Sequence, residues 1–465
     1  MSWANSVHTP NDLSLFIFRR DLRLHDNTAL IEALKNSREV IACFIFDPRQ
    51  LDRNAFFSRP AAHFMVESLQ ELELELNARG AKLYFFNGIA ERVVGELITS
   101  KRIGSVFINR DYTPFSRKRD ERIVELCHRR KIAFHVLKDT LLTEPEEIAT
   151  ASGKPYTVFS PFFRKASSMG VRKATSNPNS NYYTQSIRLE NRATYHLLLN
   201  SKIENIAMHG GRSNALRVLE RLGNYKRNYE REKDLPARSG TTGLSPHIKF
   251  GTVSVREVYH AIRKKLGGKH PLLRQLYWRD FFTHIAFHYP HVFGRAFHQE
   301  YDRIEWKQND EGFRAWCQGR TGFPIVDAGM RQLNATGFMH NRVRMIVASF
   351  LTKDLHVDWR RGERYFARNL IDYDPSVNNG NWQWCASTGC DAQPWFRIFN
   401  PWIQQRRFDP DCEYVKRWVP EIEHLTASSI HDLEHARLIK DYTAILDHRR
   451  QSRIAKNLYR RAIHI

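Results

Sequence analysis

The residues with the most chemical potential lie between Tyr229 and Asp409. Gly240-Thr241-Thr242-Gly243-Leu244-Ser245-Pro246 sets two glycines and three hydroxyls just before an apolar, helix-like run. Backbone N–H groups and hydroxyls at a helix start suit phosphate-like anions. The same composition also makes an N-cap loop that holds no ligand. Gln275-Leu276-Tyr277-Trp278-Arg279-Asp280-Phe281-Phe282 places aromatics beside a guanidinium, a pairing that stacks bases and contacts phosphates. An amphipathic helix burying its aromatics reads the same way, and periodicity alone favours it.

Asp372-Tyr373-Asp374-Pro375-Ser376-Val377-Asn378 resembles a calcium loop only at first sight. Its sixth residue is Val377, where the tight turn needs glycine, and its twelfth is Gln383, where a bidentate glutamate is needed. The two carboxylates are left for acid–base work or for an extended polar ligand. His284 and His288 share a helical face with His291 close by, but no HExxH glutamate or third ligand accompanies them. Packing or hydrogen-bonding histidines are expected there, and no metal site is assigned. Trp306, Trp316, Trp359, Trp382, Trp384 and Trp395 crowd one segment. Buried tryptophans ordinarily pack; they can also relay electrons, which spacing alone does not reveal.

These groups need a scaffold. In the first part of the chain, strands are predicted at Leu13–Phe18, Val40–Asp47, Lys82–Phe86, Ser105–Ile108 and Phe134–Leu137. Helix-like stretches alternate with them at Thr28–Lys35, Ala61–Ala78, Ala90–Ser100 and Ser116–Arg129. Such alternation predicts an α/β domain at 12–137, a doubly wound parallel sheet. The turn after the first strand, Arg19 to Asn27, has no GxGxxG, which removes the main support for a dinucleotide dehydrogenase. Residues 138–202 read as an inter-domain connection, with polar loop composition at 167–170 and 175–181. Residues 203–465 read as an all-α domain rich in Trp, Phe, Tyr, His and Arg. The tail from His448 reads as a basic helix, a solvated face rather than a specific DNA reader.

The whole chain has 465 residues, enough for two or three cores. Its 72 Lys and Arg against 50 Asp and Glu give a formal charge of +22, which points to a nucleic-acid partner. No apolar run has spanning length, and the first residues lack a secretory pattern, so a cytoplasmic protein without a membrane is expected. Cys43, Cys127, Cys317, Cys385, Cys390 and Cys412 have no CxxC spacing, against a zinc ribbon or disulfide scaffold.

Taken in order, several segments resemble the DNA photolyase/cryptochrome family. They are Phe18–Asn27 (FRRDLRLHDN), Gly240–Pro246, Trp278–Phe282, Thr321–Leu333 (TGFPIVDAGMRQL), His340–Met345 (HNRVRM), Asn378–Trp384 (NNGNWQW) and Arg397–Pro401. The match spans nearly the whole chain and looks closest to the class I cyclobutane pyrimidine dimer photolyases. It implies an N-terminal antenna domain and a helical domain holding FAD. By position it implies FAD contacts from Tyr229, Thr241, Thr242, Gly243, Leu244, Ser245, Arg279, Arg344, Asp372, Tyr373 and Asp374. Asn378 would face flavin N5, where an amide can accept or donate. Trp382, Trp359 and Trp306 would relay electrons for photoreduction of FAD. Lys233, Gln275, Trp278, Arg279, Phe282, Asn341, Arg342, Met345, Trp384 and Gln404 match positions that hold UV-damaged DNA and its flipped lesion.

The implied reaction is redox: an electron from photoexcited, reduced FAD opens the cyclobutane ring and returns. Asn341 and Met345 match the cyclobutane branch, which the (6-4) branch replaces with histidines. Gln275 departs from it, since Glu is usual there and Gln is typical of the (6-4) branch. A second, antenna chromophore is implied, a deazaflavin, a flavin or a folate; Asn109–Ser116 looks nearer to deazaflavin or flavin binders. A monomer is expected. The competing readings are a (6-4) photolyase, a cryptochrome-type photoreceptor and a basic nucleic-acid module without catalysis.

Overall fold

In the computed structural model, residues 11–51, 54–201, 203–391, 397–433 and 442–463 are described. Trp395 lies outside them. The long apolar runs near the N-terminus form β1 (Asn11–Phe18), β2 (Ser37–Phe46), β3 (Leu83–Asn87), β4 (Ser105–Asn109) and β5 (Ala133–Leu137). They pair in parallel in the order β3-β2-β1-β4-β5. Helices α1 (Thr28–Lys35), α2 (Arg59–Asn77), α3 (Ala90–Lys101) and α4 (Pro114–Arg129) connect them. Side chains alternate across β1 and β2 and so feed two cores. Leu15, Ile17, Ile41 and Cys43 meet Val93, Val94 and Leu97 of α3. Phe16, Phe18, Phe44 and Phe46 meet α1, α2 and two residues from the second half, Phe250 and Ile371. A sheet buried on both faces needs continuous hydrophobic strands, which is why these were visible in sequence. Asn27, Ser58 and Thr113 cap α1, α2 and α4 by accepting from backbone N–H groups.

The stretch 138–202 holds α5 (Phe159–Ser167) and α6 (Ala193–Asn200). Its irregular middle is strapped to the sheet. The Asn181 carbonyl accepts from Val40 N (3.0 Å), and Tyr183 N donates back to the Val40 carbonyl (2.9 Å). Tyr182, Tyr183 and Ile187 are buried in the sheet's two cores.

The second half is helical: α7 (Arg212–Glu220), α8 (Tyr229–Glu232), α9 (Ser245–Phe250), α10 (Val255–Leu266), α11 (Leu272–His288), α12 (Asp310–Gln318), α13 (Pro324–Thr336) and α14 (Asn341–Ser349). Then come α15 (Trp359–Asn369), α16 (Pro375–Ala386), α17 (Pro401–Phe408), α18 (Glu413–Trp418), α19 (Ala427–His431) and α20 (His448–Ile463). One core lies among α10, α11 and α5, and another among α12 to α16.

The halves are joined by a buried charge cluster. Arg256 donates to Asp26 (2.8 Å) and Asp139 (2.7 Å), while Arg23 donates to Asp139 (2.6 Å). Burial works against both carboxylates, yet the guanidiniums hold each below its ordinary range. Leu22 N donates to the Phe250 carbonyl (3.0 Å) beside Gly251, whose φ is +65°. A Cβ at Gly251 would sit 2.2 Å from the Arg20 carbonyl oxygen, so a larger residue would push the halves apart.

Candidate active site

Helix α16 organises the site, packing against α11, α14 and α15. Pro375 starts it without an N–H to satisfy, and Asp374 caps it, accepting from Ser376 N (3.0 Å) and Val377 N (3.2 Å). The other Asp374 oxygen pairs with Arg20, which reaches over from the sheet domain. Burial opposes ionisation of Asp374, but Arg20, Arg279 and Lys249 outweigh it and keep the carboxyl below its usual range. Lys249 is brought down to about 7 by burial and by Arg20, against the pull of Asp374 and Asp111.

Asn378 follows Asp374 by one turn and Trp382 by another, so the three share one stripe. Asn378 Nδ2 donates to the Glu363 carbonyl (3.2 Å), and Oδ1 meets no donor among the described residues. The Glu363 carboxyl accepts from Asn379 (2.9 Å), and burial pushes it up to about 7. Arg344 grips Asp372 with two bonds (3.2 and 3.1 Å) and ties back to the Met339 carbonyl (2.7 Å). Tyr373 lies parallel to Phe56, with ring centres 6.5 Å apart.

Helix α11 supplies a second wall. Gln275, Trp278, Arg279 and Phe282 recur at helical spacing, and the exposed Gln275 has no protein partner among the described residues. Trp278 stacks on Phe159 at 3.6 Å between centres and 5.5 Å from Phe282. Arg279 donates to the Thr140 carbonyl (2.8 Å) and is 3.7 Å from Asp280; its other donors meet no acceptor among the described residues. Phe282 presses on Gly380, where a Cβ would lie 2.1 Å from its ring. A third wall is the start of α14. Asn341 Nδ2 approaches Met345 Sδ one turn on (3.9 Å), and Arg342 pairs with Asp234 (2.8 Å) over the Phe408 ring. Trp384 is half-buried at the edge of the α12–α16 core.

Trp382 and Trp359 are buried, and Trp306 is half-buried. Gly362, one turn beyond Trp359 on α15, receives the Trp382 ring: a Cβ there would come within 2.2 Å of Cη2. Lys307 N donates to the His356 carbonyl (2.9 Å), which holds the Trp306 segment close to the beginning of α15. The structure thus sets Trp382 against the helix of Trp359, and Trp306 beside that helix's start.

The 240–246 loop approaches α8. Gly240 fits against the Glu232 carbonyl, whose oxygen would lie 2.4 Å from a Cβ at that position, and Gly243 has φ +68°. Thr242 Oγ1 accepts from Leu244 N (3.4 Å), while the Thr241 carbonyl accepts from Tyr225 (3.0 Å). Ser245 opens the six-residue α9. Tyr229 is buried, with Lys233 over its ring (5.7 Å). Lys233 is also paired with Glu230 (2.7 Å), and Gln404 is buried on α17. Of the histidines, His284 and His288 bond to the Thr143 and Pro145 carbonyls (2.8 and 3.2 Å), which fixes α11 to the inter-domain segment. Among the described residues, no group of three or more His, Cys, Asp or Glu is arranged for a metal.

Four participants were not singled out from sequence: Arg20, Lys249, Phe159 and Glu363. Arg20 falls inside the FRRDLRLHDN segment, so that motif carried a signal. Phe159 had none, since its only distinction is the ring of a residue far along the chain.

In the sheet domain, Asn109 is buried, accepting from Ala29 N (2.9 Å) and donating to Asn27 (2.7 Å). Phe115 lies under Arg49 and Arg119 (5.3 and 5.9 Å), and Ser116 donates to Asp111 (3.0 Å).

Comparison with known proteins matches residues 272–461 to the FAD binding domain of DNA photolyase and residues 14–179 to the DNA photolyase family. The deoxyribodipyrimidine photo-lyase of Alkalihalophilus pseudofirmus is 36% identical, over 95% of this chain and 97% of its own. An archaeal photolyase structure from Sulfolobus tokodaii, described with two FAD molecules, is 42% identical with a TM-score of 0.89, covering 97% of this chain and all of its own (100%). A bacterial class III photolyase from Agrobacterium tumefaciens is 33% identical with a TM-score of 0.91, covering 100% of both chains. The α/β sheet domain followed by a helical domain, the stripe on α16 and these matches together make the chain a member of the DNA photolyase family.

Proposed function

We propose that the chain is a light-driven deoxyribodipyrimidine photolyase that splits cyclobutane pyrimidine dimers in UV-damaged DNA. The observation that carries this reading is the α16 stripe, which lines up a capped carboxylate, an amide with an open acceptor and a buried indole. The residues fit FAD. Asn378 Oδ1 has no protein donor among the described residues, which suits a ring N–H. The half-buried cations Arg20, Lys249 and Arg279 suit a cofactor with a diphosphate, and Arg279 keeps donors to spare. Tyr229, the 241–245 loop, Arg344, Asp372, Tyr373 and Asp374 would hold it. When bound and reduced, FAD supplies one photoexcited electron and accepts it back after the ring opens.

The chain's own residues do the rest. Arg344 held by Asp372 fixes positive charge at a set place. Trp278, Trp384 and Met345 offer apolar faces to an extruded lesion, and Gln275 and Asn341 offer amides to its carbonyls. Lys233, Arg342, Phe282 and Gln404 border that pocket, with Arg342 and Lys233 positioned for flanking phosphates. Trp382, Trp359 and Trp306 carry electrons inward.

Asn341 and Met345 on one face of α14 support the cyclobutane lesion and the class I assignment. Gln275 favours the (6-4) lesion as the second reading. The sheet domain holds a second chromophore, which we read as a flavin or deazaflavin. The archaeal relative with two FAD molecules supports a flavin. A blue-light repair assay on defined cyclobutane and (6-4) substrates, with an absorption spectrum of the same sample, tests the whole reading. Cyclobutane repair by a yellow protein is the expected result; repair of the (6-4) product alone, or a colourless inert protein, overturns it.

A further inference from the structure

Helix α20 carries Arg449, Arg450, Arg453, Lys456, Arg460 and Arg461 and no acidic residue. All six are exposed, and none has a carboxylate partner among the described residues. Arg449, Arg453, Lys456 and Arg460 recur at i, i+4, i+7 and i+11, a single stripe about 16 Å long. Like charges one turn apart repel, so the stripe opposes the helix that bears it unless a polyanion lies alongside.

The inner face of α20 is committed to the protein. His448 pairs with Asp354 (2.5 Å), and Ala455, Tyr459 and Ala462 are buried. Tyr459 donates to the Ala386 carbonyl (2.5 Å), two residues past Trp384. Lys353 lies over the Tyr459 ring (5.2 Å) and donates to Ser387 (2.8 Å) and to the carbonyl of the exposed Arg397 (3.2 Å). On the opposite flank, Gln451 meets His356 (2.8 Å) and Leu458 packs with Tyr301 and Trp306. The stripe therefore borders the flank away from Trp306, on a helix anchored just behind the Trp384 wall.

We propose that this stripe is a second DNA-binding surface, which grips phosphates of the duplex to one side of the lesion. This rests on the photolyase reading. Duplex DNA presents a charge about every 1.7 Å, so a 16 Å stripe faces on the order of ten phosphates. A helix that binds a membrane surface must offer lipid an apolar face. Most of the apolar face of α20, Ala455, Tyr459 and Ala462, is buried against the protein, so the exposed stripe is cationic.

The test uses the full-length, FAD-loaded protein and R449Q/R453Q/K456Q/R460Q, none of which lies in the flavin or lesion pocket. Binding is followed against salt on three dimer-containing substrates: a short single strand, and duplexes extending about twenty pairs to only the 5′ or only the 3′ side. The expected result is a fall of about 3 to 4 in the salt slope on one of the two duplexes, at 0.9 per phosphate contact. The other duplex, the single strand and light-driven repair of the single strand stay as in the parent protein. An unchanged slope on both duplexes, an equal loss on both, or a loss seen only with phosphatidylserine vesicles overturns the proposal. A parent protein that repairs no substrate ends the photolyase reading and this proposal together; an unchanged variant slope beside normal parental repair ends the proposal alone.

Discussion

Trp382 is fixed by its neighbours, with the Phe366 ring edge-on at 4.9 Å, Trp316 at 6.3 Å and Gly362 beneath. Phenylalanine would fill much of that space without an oxidisable indole. In Trp382→Phe, photoreduction of bound FAD should fall by about tenfold or more, while repair by chemically reduced enzyme stays near normal. Bleaching of oxidised flavin under blue light and a repair assay after reduction read the two arms. Glu363 gives a pH prediction. Burial raises its carboxyl from 4.5 to about 7, so the native state resists losing this proton. Its contribution is intact below pH 4.5 and is lost as pH rises through about 7. Relative to Glu363→Gln, the parent protein should lose on the order of 3 kcal/mol between those limits. Urea unfolding of both proteins at pH 5 and pH 8 measures the difference. At this scale the sequence showed that Asp372 and Asp374 form a polar pair, but not their division of labour. Asp374 takes its cation from Arg20, 354 residues away, and no local pattern reports that partner.

At the level of elements, the α11–α16 contact sets the distance between the Gln275–Trp278 face of α11 and the α16 stripe. It depends on Gly380, with no room for a methyl beside Phe282. Gly380→Ala should destabilise the protein by about 1–3 kcal/mol through overpacking. Thermal unfolding measures that cost, and a matching loss of FAD affinity would show that the spacing serves the site. The strands and the first four helices were legible because parallel strands are continuous apolar runs and amphipathic stretches alternate with them. The 138–202 stretch was not. Its Asn, Ser and Thr composition reads as loose, while the residues that tie it down, Tyr182, Tyr183 and Ile187, are isolated apolar residues without periodicity. Trp278 was ambiguous between packing and recognition, and its stacking on Phe159 shows it packed on one side.

Across the whole molecule, the two halves are locked by charges rather than by grease alone. Arg256 is the shared partner of Asp26 and Asp139, and both carboxylates are buried. Arg256→Ala would leave Asp26 with Arg172 (2.8 Å) and Ser254 (2.6 Å), and Asp139 with Arg23 (2.6 Å) and Thr28 (2.9 Å). Breaking a buried pair typically costs about 3–5 kcal/mol, and the remaining partners place this variant near the lower end. The expected outcome is a urea midpoint shifted down, with energy transfer from the sheet-domain chromophore to FAD weakened as the halves loosen. The net charge pointed to a polyanionic partner and the tail from His448 read as a solvated basic helix, whereas the buried Arg23 and Arg256 locks emerged only in three dimensions.

The indole N–H of Trp382 is enclosed and has no acceptor within reach among the described residues. An indole stripped of an electron becomes a strong acid, but no group among the described residues is placed to take its proton. In the proposed relay the positive hole would then stay protonated and strongly oxidising, able to draw on Trp359 instead of settling as an inert neutral radical. A base introduced beside that nitrogen would, in the same proposed relay, trap the charge as a neutral radical one step from where it began.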